Sequence, residues 1–254
     1  MPQLSLHFLG TGTIAPDPAR SCSATLLDTP AGRILVDIGT GTFRRMAEYR
    51  IDVQSIDHIF ITHFHPDHIG DLANYLFVYR ARQRVVKRPR PLQVWGPPGL
   101  DGFMKYQAMA YGSWLPLEAE DGQVRELNGE EMYFSGLHAR WAKTVHTPES
   151  ICYRFEYDSS SLVFSGDSDY CPELVEICRE ADLALLECAY SDANPAKGHL
   201  TPERVGRIAA ESGVKRILLN HLYPETRASD PLGTIRRQFA GPVQLVDDGE
   251  VVHL

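Results

Sequence analysis

Four side chains able to ligate a metal stand within one six-residue run, His63-Phe64-His65-Pro66-Asp67-His68. No other feature limits the architecture of this chain so strongly. Donors packed that closely must be held on a stiff turn if they are to converge on an ion. Imidazole suits zinc, iron, manganese or nickel, and a carboxylate oxygen broadens the choice. Upstream, Asp57 to Thr62 reads as a buried strand rich in β-branched and aromatic residues. Downstream, Ile69 to Tyr79 reads as a helix. The run therefore falls on a strand-to-helix turn, where an open α/β sheet presents its ligand-binding residues. A polar turn that merely contains histidines would explain one isolated His, but not His-X-His-X-Asp-His.

The rest of the chain supplies the scaffold such a turn needs. Its 254 residues fit one large α/β domain or two small ones. With 43% hydrophobic and 23% charged residues it can bury a core, and disorder is not expected. No run approaches the ~18 apolar residues of a membrane span. Met1 to Ser5 leads straight into a strand pattern with no basic leader, so a cytoplasmic location is expected. Cys22, Cys152, Cys171, Cys178 and Cys188 form no Cys-X-X-Cys pair and read as reduced, mostly buried thiols. A formal net charge of −8 argues against a surface built for nucleic acid. It leaves room for a small anionic substrate, because bound divalent cations dominate the local field of a site. Against that average runs the basic stretch Arg80, Arg82, Arg84, Lys87, Arg88 and Arg90. It reads as a solvated helix end and loop, with an electropositive cleft rim as the alternative.

Strands are expected over Leu4 to Leu9, Ser23 to Asp28 and Arg33 to Ile38, and over Leu92 to Trp95. More follow within Val124 to Phe155, then Leu162 to Phe164, Leu183 to Leu186, Arg216 to Asn220, Val243 to Val246 and Val251 to Leu254. Helices are expected over Phe43 to Tyr49, Leu100 to Tyr111, Pro172 to Glu180, from Thr201-Pro202 to Gly213, and from Asp230-Pro231. Strand runs with intercalated helices and no internal repeat suggest two sheets covered by helices on both outer faces.

One cluster of ligands does not make a two-metal site, which needs a bridging carboxylate and further histidines. Three strand ends offer them: His146 after Trp141 to Val145, Asp167 after Leu162 to Gly166, and His221 after Ile217 to Asn220. Read alone, each is more often a hydrogen-bonded structural residue. Together, Asp37, His63-X-His65-X-Asp67-His68, His146, Ser165-Gly166-Asp167 and His221 resemble the five ordered motifs of the metallo-β-lactamase superfamily. Phe8-Leu9-Gly10-Thr11-Gly12, Arg20-Ser21-Cys22-Ser23, Val94 to Leu100, Tyr153-Arg154 and Gly198-His199-Leu200-Thr201 resemble its ribonuclease Z and phosphodiesterase branch. The resemblance implies a single α/β domain over residues 1–254, an αββα sandwich of two mixed β-sheets flanked by helices. It also implies two divalent metal ions at one edge of the sheets. Zinc heads the list, with manganese and iron as alternatives. It assigns His63, His65 and His146 to one metal and Asp67, His68 and His221 to the other. Asp167 would bridge them together with a hydroxide, Asp67 would also serve catalysis, and Asp37 would orient a ligand. Glu187 and His199 would form a hydrogen-bonded pair beside a scissile phosphate, with His199 donating a proton or binding the phosphate. The competing assignment for His199 is a helix-start residue with local contacts.

The chain departs from ribonuclease Z in one respect. The long arm that grips transfer RNA there lies between the third and fourth metal motifs, but here His146 and Asp167 are only 21 positions apart. The stretch from His68 to His146 is instead 78 positions long, and it carries Tyr75, Phe77, Tyr79, Phe103, Tyr106, Tyr111 and Trp114. Residues 72–115 are therefore expected to form a helical, lid-like segment, with one or two of these rings lining a pocket. The expected activity is hydrolysis of a small phosphodiester or nucleotide-like substrate. A lactonase or other ester hydrolase, a ribonuclease Z-like RNA endonuclease and an iron-dependent oxidoreductase are the alternatives, in that order. RNA is a disfavoured partner, no membrane partner is expected, and a homodimer is allowed. Lacking the arm and carrying a net charge of −8, the chain should cleave small phosphodiesters far better than precursor transfer RNA. Side-by-side kinetics at physiological salt check this. Efficient, site-specific removal of a 3′ trailer would show that the basic stretch replaces the arm.

Overall fold

The computed structural model describes residues 4–86, 88, 90–115 and 119–254, so Met1 to Gln3 and Lys87 of the basic stretch lie outside the described residues. The first half of the chain lays down β1 (Ser5–Gly10), β2 (Ala24–Thr29), β3 (Gly32–Val36), β4 (His58–Phe60), β5 (Leu92–Gly96) and β6 (Gly122–Glu126). The second half lays down β7 (Glu131–Phe134), β8 (Leu137–Lys143), β9 (Ile151–Tyr157), β10 (Ser160–Phe164), β11 (Leu183–Glu187), β12 (Ile217–Asn220) and β13 (Val243–Leu245). A last strand, β14 (Val251–His253), returns to pair with β1. Two seven-stranded sheets result, ordered β14-β1-β2-β3-β4-β5-β6 and β13-β12-β11-β10-β9-β8-β7. Each is antiparallel on one side and parallel on the other, with the change at β3 in the first sheet and at β10 in the second.

Packed face to face, the sheets bury Leu6, Phe8, Val36 and Phe60 of one against Tyr153, Phe155, Phe164 and Leu218 of the other. Phe60 lies at the centre of this layer. Its ring meets the edges of Tyr153 at 5.3 Å and Phe155 at 5.1 Å. Outside the first sheet pack α1 (Thr42–Glu48), α2 (Pro66–Ile69), α3 (Leu72–Gln83) and α4 (Leu100–Tyr111). Outside the second pack α5 (Pro172–Ile177), α6 (Pro202–Ser212) and α8 (Pro231–Arg236), while α7 (Pro224–Arg227) follows β12 and ties its Thr226 hydroxyl to the Ala189 carbonyl. The fold is thus the αββα sandwich of two mixed sheets. No helix among the described residues is long and apolar enough to cross a membrane.

The helix expected over Ile69 to Tyr79 is two helices, broken at Gly70-Asp71. Asp71 does not cap its own helix. Its carboxylate instead accepts the Gly41 and Phe43 amides at 2.9 Å each, holding the start of α1. Residues 72–115 form α3, β5 and α4. α3 buries Leu72, Tyr75, Leu76 and Tyr79 on the first sheet, whereas Phe77, Tyr106, Tyr111 and Trp114 stay exposed. Phe103 reaches the metal motif, where its ring stacks on Phe64 at 5.3 Å. In the basic stretch Arg88 bonds the Ile56 carbonyl and Asp57, Arg82 pairs with Asp52, and Arg84 lies over Trp114. The five cysteines are free thiols, and all but Cys22 are buried.

Because Phe60 contacts both sheets and is fully buried, Phe60→Ala should cost about 3–5 kcal/mol through lost burial and the cavity left behind. Urea unfolding read at its midpoint measures this. A loss under about 1 kcal/mol would mean that the sandwich interior repacks around the gap.

Candidate metal centre

Three strands end at one rim of the sandwich, and each is followed by a left-handed kink. β3 was expected to run to Ile38 but stops at Val36, because Asp37 takes φ 57°. β10 ends at Phe164 ahead of Gly166 at φ 56°, where a Cβ would meet the Thr62 side chain at 2.8 Å. β12 ends at Asn220 ahead of His221 at φ 56°. Asp and His visit this region more often than most side chains, but any non-glycine residue held there costs about 1–3 kcal/mol and is kept only where its surroundings over-determine it. Here the His221 amide donates to the Thr11 carbonyl at 2.8 Å. Thr11 donates in turn, through its amide and hydroxyl, to the Asp248 carboxylate at 2.8 Å each. The kinks turn Asp37, Asp167 and His221 inward, toward the turn between β4 and α2 that carries His63, His65, Asp67 and His68. Gly39 lets that turn approach, since a Cβ there would sit 2.0 Å from the Asp67 carbonyl oxygen.

Two groups of donors converge, and a third, Asp167, His199 and His221, overlaps them. His63, His65, His146 and Asp167 offer one set of ligand atoms and Asp67, His68 and His221 another, each lying within 4.8 Å of one another. Asp167 stands between them. Its Oδ2 faces His63 Nε2 at 3.9 Å and His146 Nε2 at 3.7 Å. Its Oδ1 faces His68 Nε2 at 3.2 Å and His221 Nε2 at 3.7 Å. His65 Nδ1 lies 3.0 Å from His146 Nε2, and Asp67 Oδ2 lies 3.3 Å from His221 Nε2.

The far nitrogens of three histidines are held. His68 Nδ1 is 2.7 Å from Asp37, His63 Nδ1 is 3.0 Å from the Thr62 hydroxyl, and His146 Nδ1 is 2.9 Å from the Gly198 carbonyl. Such contacts fix the tautomer and aim of a ligating imidazole. Asp37 also accepts the Thr62 amide and hydroxyl at 2.8 and 2.9 Å, so it supports the rings without joining either group. His199 lies alongside, its Nδ1 2.9 Å from Glu187 Oε1 and 3.9 Å from Asp167 Oδ2. Glu187 is buried at the end of β11 and accepts the Ser168 and Ala189 amides at 3.0 and 2.9 Å. All ten residues singled out in the sequence therefore meet at one rim.

The electrostatics of the first donor group suit a bound cation, whereas at His68 and His221 the neighbouring carboxylates outweigh burial and raise the imidazoles. Burial, with His68, His146 and His65 nearby, holds the His63 imidazole well below its ordinary range, and burial lowers His146 too. Both present neutral rings. Burial opposes the Asp167 charge, yet His221, His68 and His63 hold its carboxyl well below the usual range. His63 Nε2 and Asp167 Oδ1 are buried without a hydrogen-bond partner. Orphaned polar atoms are costly, and these two point into the two donor groups. The residues present thus fit divalent metal, with the imidazole and carboxylate donors that zinc accepts.

A family model described as a beta-lactamase superfamily domain matches residues 32–222. The chain belongs to the metallo-β-lactamase superfamily. An uncharacterised protein of Mycobacterium leprae is 31% identical over 244 residues, covering 93% of this chain and 83% of that one. Ribonuclease Z of Myxococcus xanthus is 27% identical over 309 residues, covering 100% of this chain and 99% of its own, which places this member in the ribonuclease Z-like branch. Among solved structures, the metallo-β-lactamase fold protein YhfI from Bacillus subtilis superposes with a TM-score of 0.88 at 21% identity, covering 100% of both chains. A diphosphatase from the PhnP family superposes with a TM-score of 0.72 at 19% identity, covering 99% of this chain and 98% of that one. Such likeness shows the fold of this superfamily member.

Sequence reasoning missed several supports. Thr62 is adjacent to the motif, and its hydroxyl could have been suspected from position alone. Gly198 precedes His199 in a quoted motif, but nothing local shows that its carbonyl meets His146. Asp248 lies 237 positions from Thr11 and carries no local signal. Asp167→Ala should reduce the metal retained at both donor groups, because each carboxylate oxygen faces one of them. Elemental analysis of protein purified without chelator is expected to approach two ions per wild-type chain and to fall below one in the variant. A wild-type value at or below one, unchanged by metal supplementation, would refute the two-ion arrangement.

Proposed function

We propose that this chain is a binuclear metal-dependent phosphodiesterase acting on a small phosphodiester or nucleotide-like substrate. The observation that carries the reading is the His199–Glu187 pair set against Asp167 between two donor groups. His63, His65 and His146 would hold one ion, Asp67, His68 and His221 the other, and Asp167 would span both. Zinc is the ion this donor set suits first. Bound divalent metal supplies Lewis acidity and an activated water at neutral pH.

The protein's own residues supply the rest. Glu187 takes up the Nδ1 side of His199, which leaves Nε2 as the nitrogen free to face a ligand. Burial works against a proton on His199, but the Glu187 hydrogen bond and charge outweigh it and raise its pKa. A cation so held can deliver its Nε2 proton to a departing alkoxide, the group that most needs one. Hydrolysis at an activated carbonyl makes less demand on such an acid. The M. xanthus relative is named for ribonuclease activity and the PhnP-family neighbour for diphosphatase activity, both reactions at phosphorus. Between His146 and Asp167 the chain folds as the β9–β10 hairpin, with strands paired from Tyr157–Ser160 to Tyr153–Phe164. It spends that segment on the sheet rather than on an arm.

His199→Ala should lower turnover of alkyl phosphodiesters roughly 10²–10⁴-fold while both metals stay bound. The loss should be small for bis-p-nitrophenyl phosphate, whose leaving group departs unaided. Equal losses on both would indicate phosphate binding rather than proton transfer, and loss of metal would make His199 a ligand. A panel of lactones assayed beside the diesters completes the test: turnover of lactones alone would overturn the phosphodiesterase reading.

A further inference from the structure

Beyond the metal donors, the parallel half of the second sheet delivers two aromatic rings to the same rim. Glu187 and Asn220 are paired in register at the ends of β11 and β12. Three residues past each stands a tyrosine, in Glu187-Cys188-Ala189-Tyr190 and Asn220-His221-Leu222-Tyr223. The loops are tied together there. The Ala189 carbonyl accepts the Tyr223 amide at 3.2 Å and the Thr226 hydroxyl at 2.7 Å, and the Tyr190 amide donates to the Leu200 carbonyl at 3.4 Å. The rings of Tyr190 and Tyr223 lie 5.0 Å apart, and Tyr190 lies 5.3 Å from His199. Three rings thus run outward from the general acid, and both tyrosines are only half-buried. Ligands of α/β sheets bind outside the carboxyl ends of parallel strands, which is where this row stands.

We infer that Tyr190 and Tyr223 form a ring-binding subsite on the His199 side of the metal centre, taking a planar ring of the substrate. The assignment rests on the phosphodiesterase reading for where the phosphoryl group sits. Flat aromatic surface that is already ordered binds a ring at little entropic cost, and a base stacked on an aromatic side chain is worth about ten-fold or more in affinity.

The experiment titrates metal-loaded protein with adenosine 5′-monophosphate and with ribose 5-phosphate, which has an anomeric hydroxyl in place of the adenine ring, and reads both affinities by calorimetry. Wild type should bind the nucleotide at least about ten-fold more tightly. Tyr190→Leu and Tyr223→Leu should each bring that ratio toward one while ribose 5-phosphate binding and metal content hold. Tyr190→Phe and Tyr223→Phe should keep the ratio, because they keep the ring. Equal binding of the two ligands by wild type would overturn the subsite, as would leucine variants that retain the preference. So would phenylalanine variants that lose it, since that would assign the effect to the hydroxyls. The phosphodiesterase reading fails separately, if metal-loaded protein turns over no diester, whatever the ratio of the two affinities.

Discussion

The rim of this protein depends on one buried carboxylate facing two groups of imidazoles. Asp167 could have been paired with an arginine and lost in the core, but it is surrounded by His63, His68, His146 and His221, with one oxygen toward each group. Hydrogen bonding within the protein leaves its Oδ1 and His63 Nε2 unsatisfied. A fold selected for stability alone would not keep such atoms, since each costs about 1–3 kcal/mol. The position is held by geometry on every side. Gly166 turns the chain before it, and the Thr144 hydroxyl donates to its carbonyl at 3.0 Å. The arrangement is stable as a place for cations and wasteful as anything else.

What makes it affordable is the sandwich behind it. The interior between the sheets is apolar and aromatic, built on Phe60, Tyr153 and Phe155. Tyr153 donates its hydroxyl to the Ile61 carbonyl at 2.6 Å, one residue before Thr62 and two before His63. The aromatic layer therefore grips the backbone that enters the metal turn. Each sheet contributes parallel strands whose ends supply Asp37, Glu187 and His221, and the antiparallel strands fill the remaining width. Substitution deep in this layer would be felt at the rim without touching a donor.

Much of this was legible in the sequence, for local reasons. A run such as His63 to His68 announces its chemistry by spacing, and the single donors at 146, 167 and 221 follow apolar strands that any periodicity analysis marks. The sandwich followed once those motifs were read in order. Less legible was whatever depends on partners far apart in the chain. The split at Gly70-Asp71 was invisible because Asp71 serves α1, whose entry at Gly41 lies thirty residues earlier. The early stop of β3 was hidden because left-handed φ at Asp37 is imposed by tertiary contacts. Tyr190 and Tyr223 carry no local signal, and only the register of Glu187 with Asn220 brings them side by side.

The clamp on His221 sets an order of events in the cell. His221 hangs from Thr11, Thr11 from Asp248, and Asp248 also takes the Ser21 amide and the Arg45 guanidinium, at 2.8 and 3.1 Å. A ribosome making this chain exposes His63 to His68 early, yet the residue that locks the opposite wall is made some 180 positions later. At about 5–20 residues per second, that gap lasts roughly ten to forty seconds. During that time the first histidines have been made while the finished geometry does not exist. The wall that carries His221 is therefore complete only once Asp248 has been made and has met Thr11.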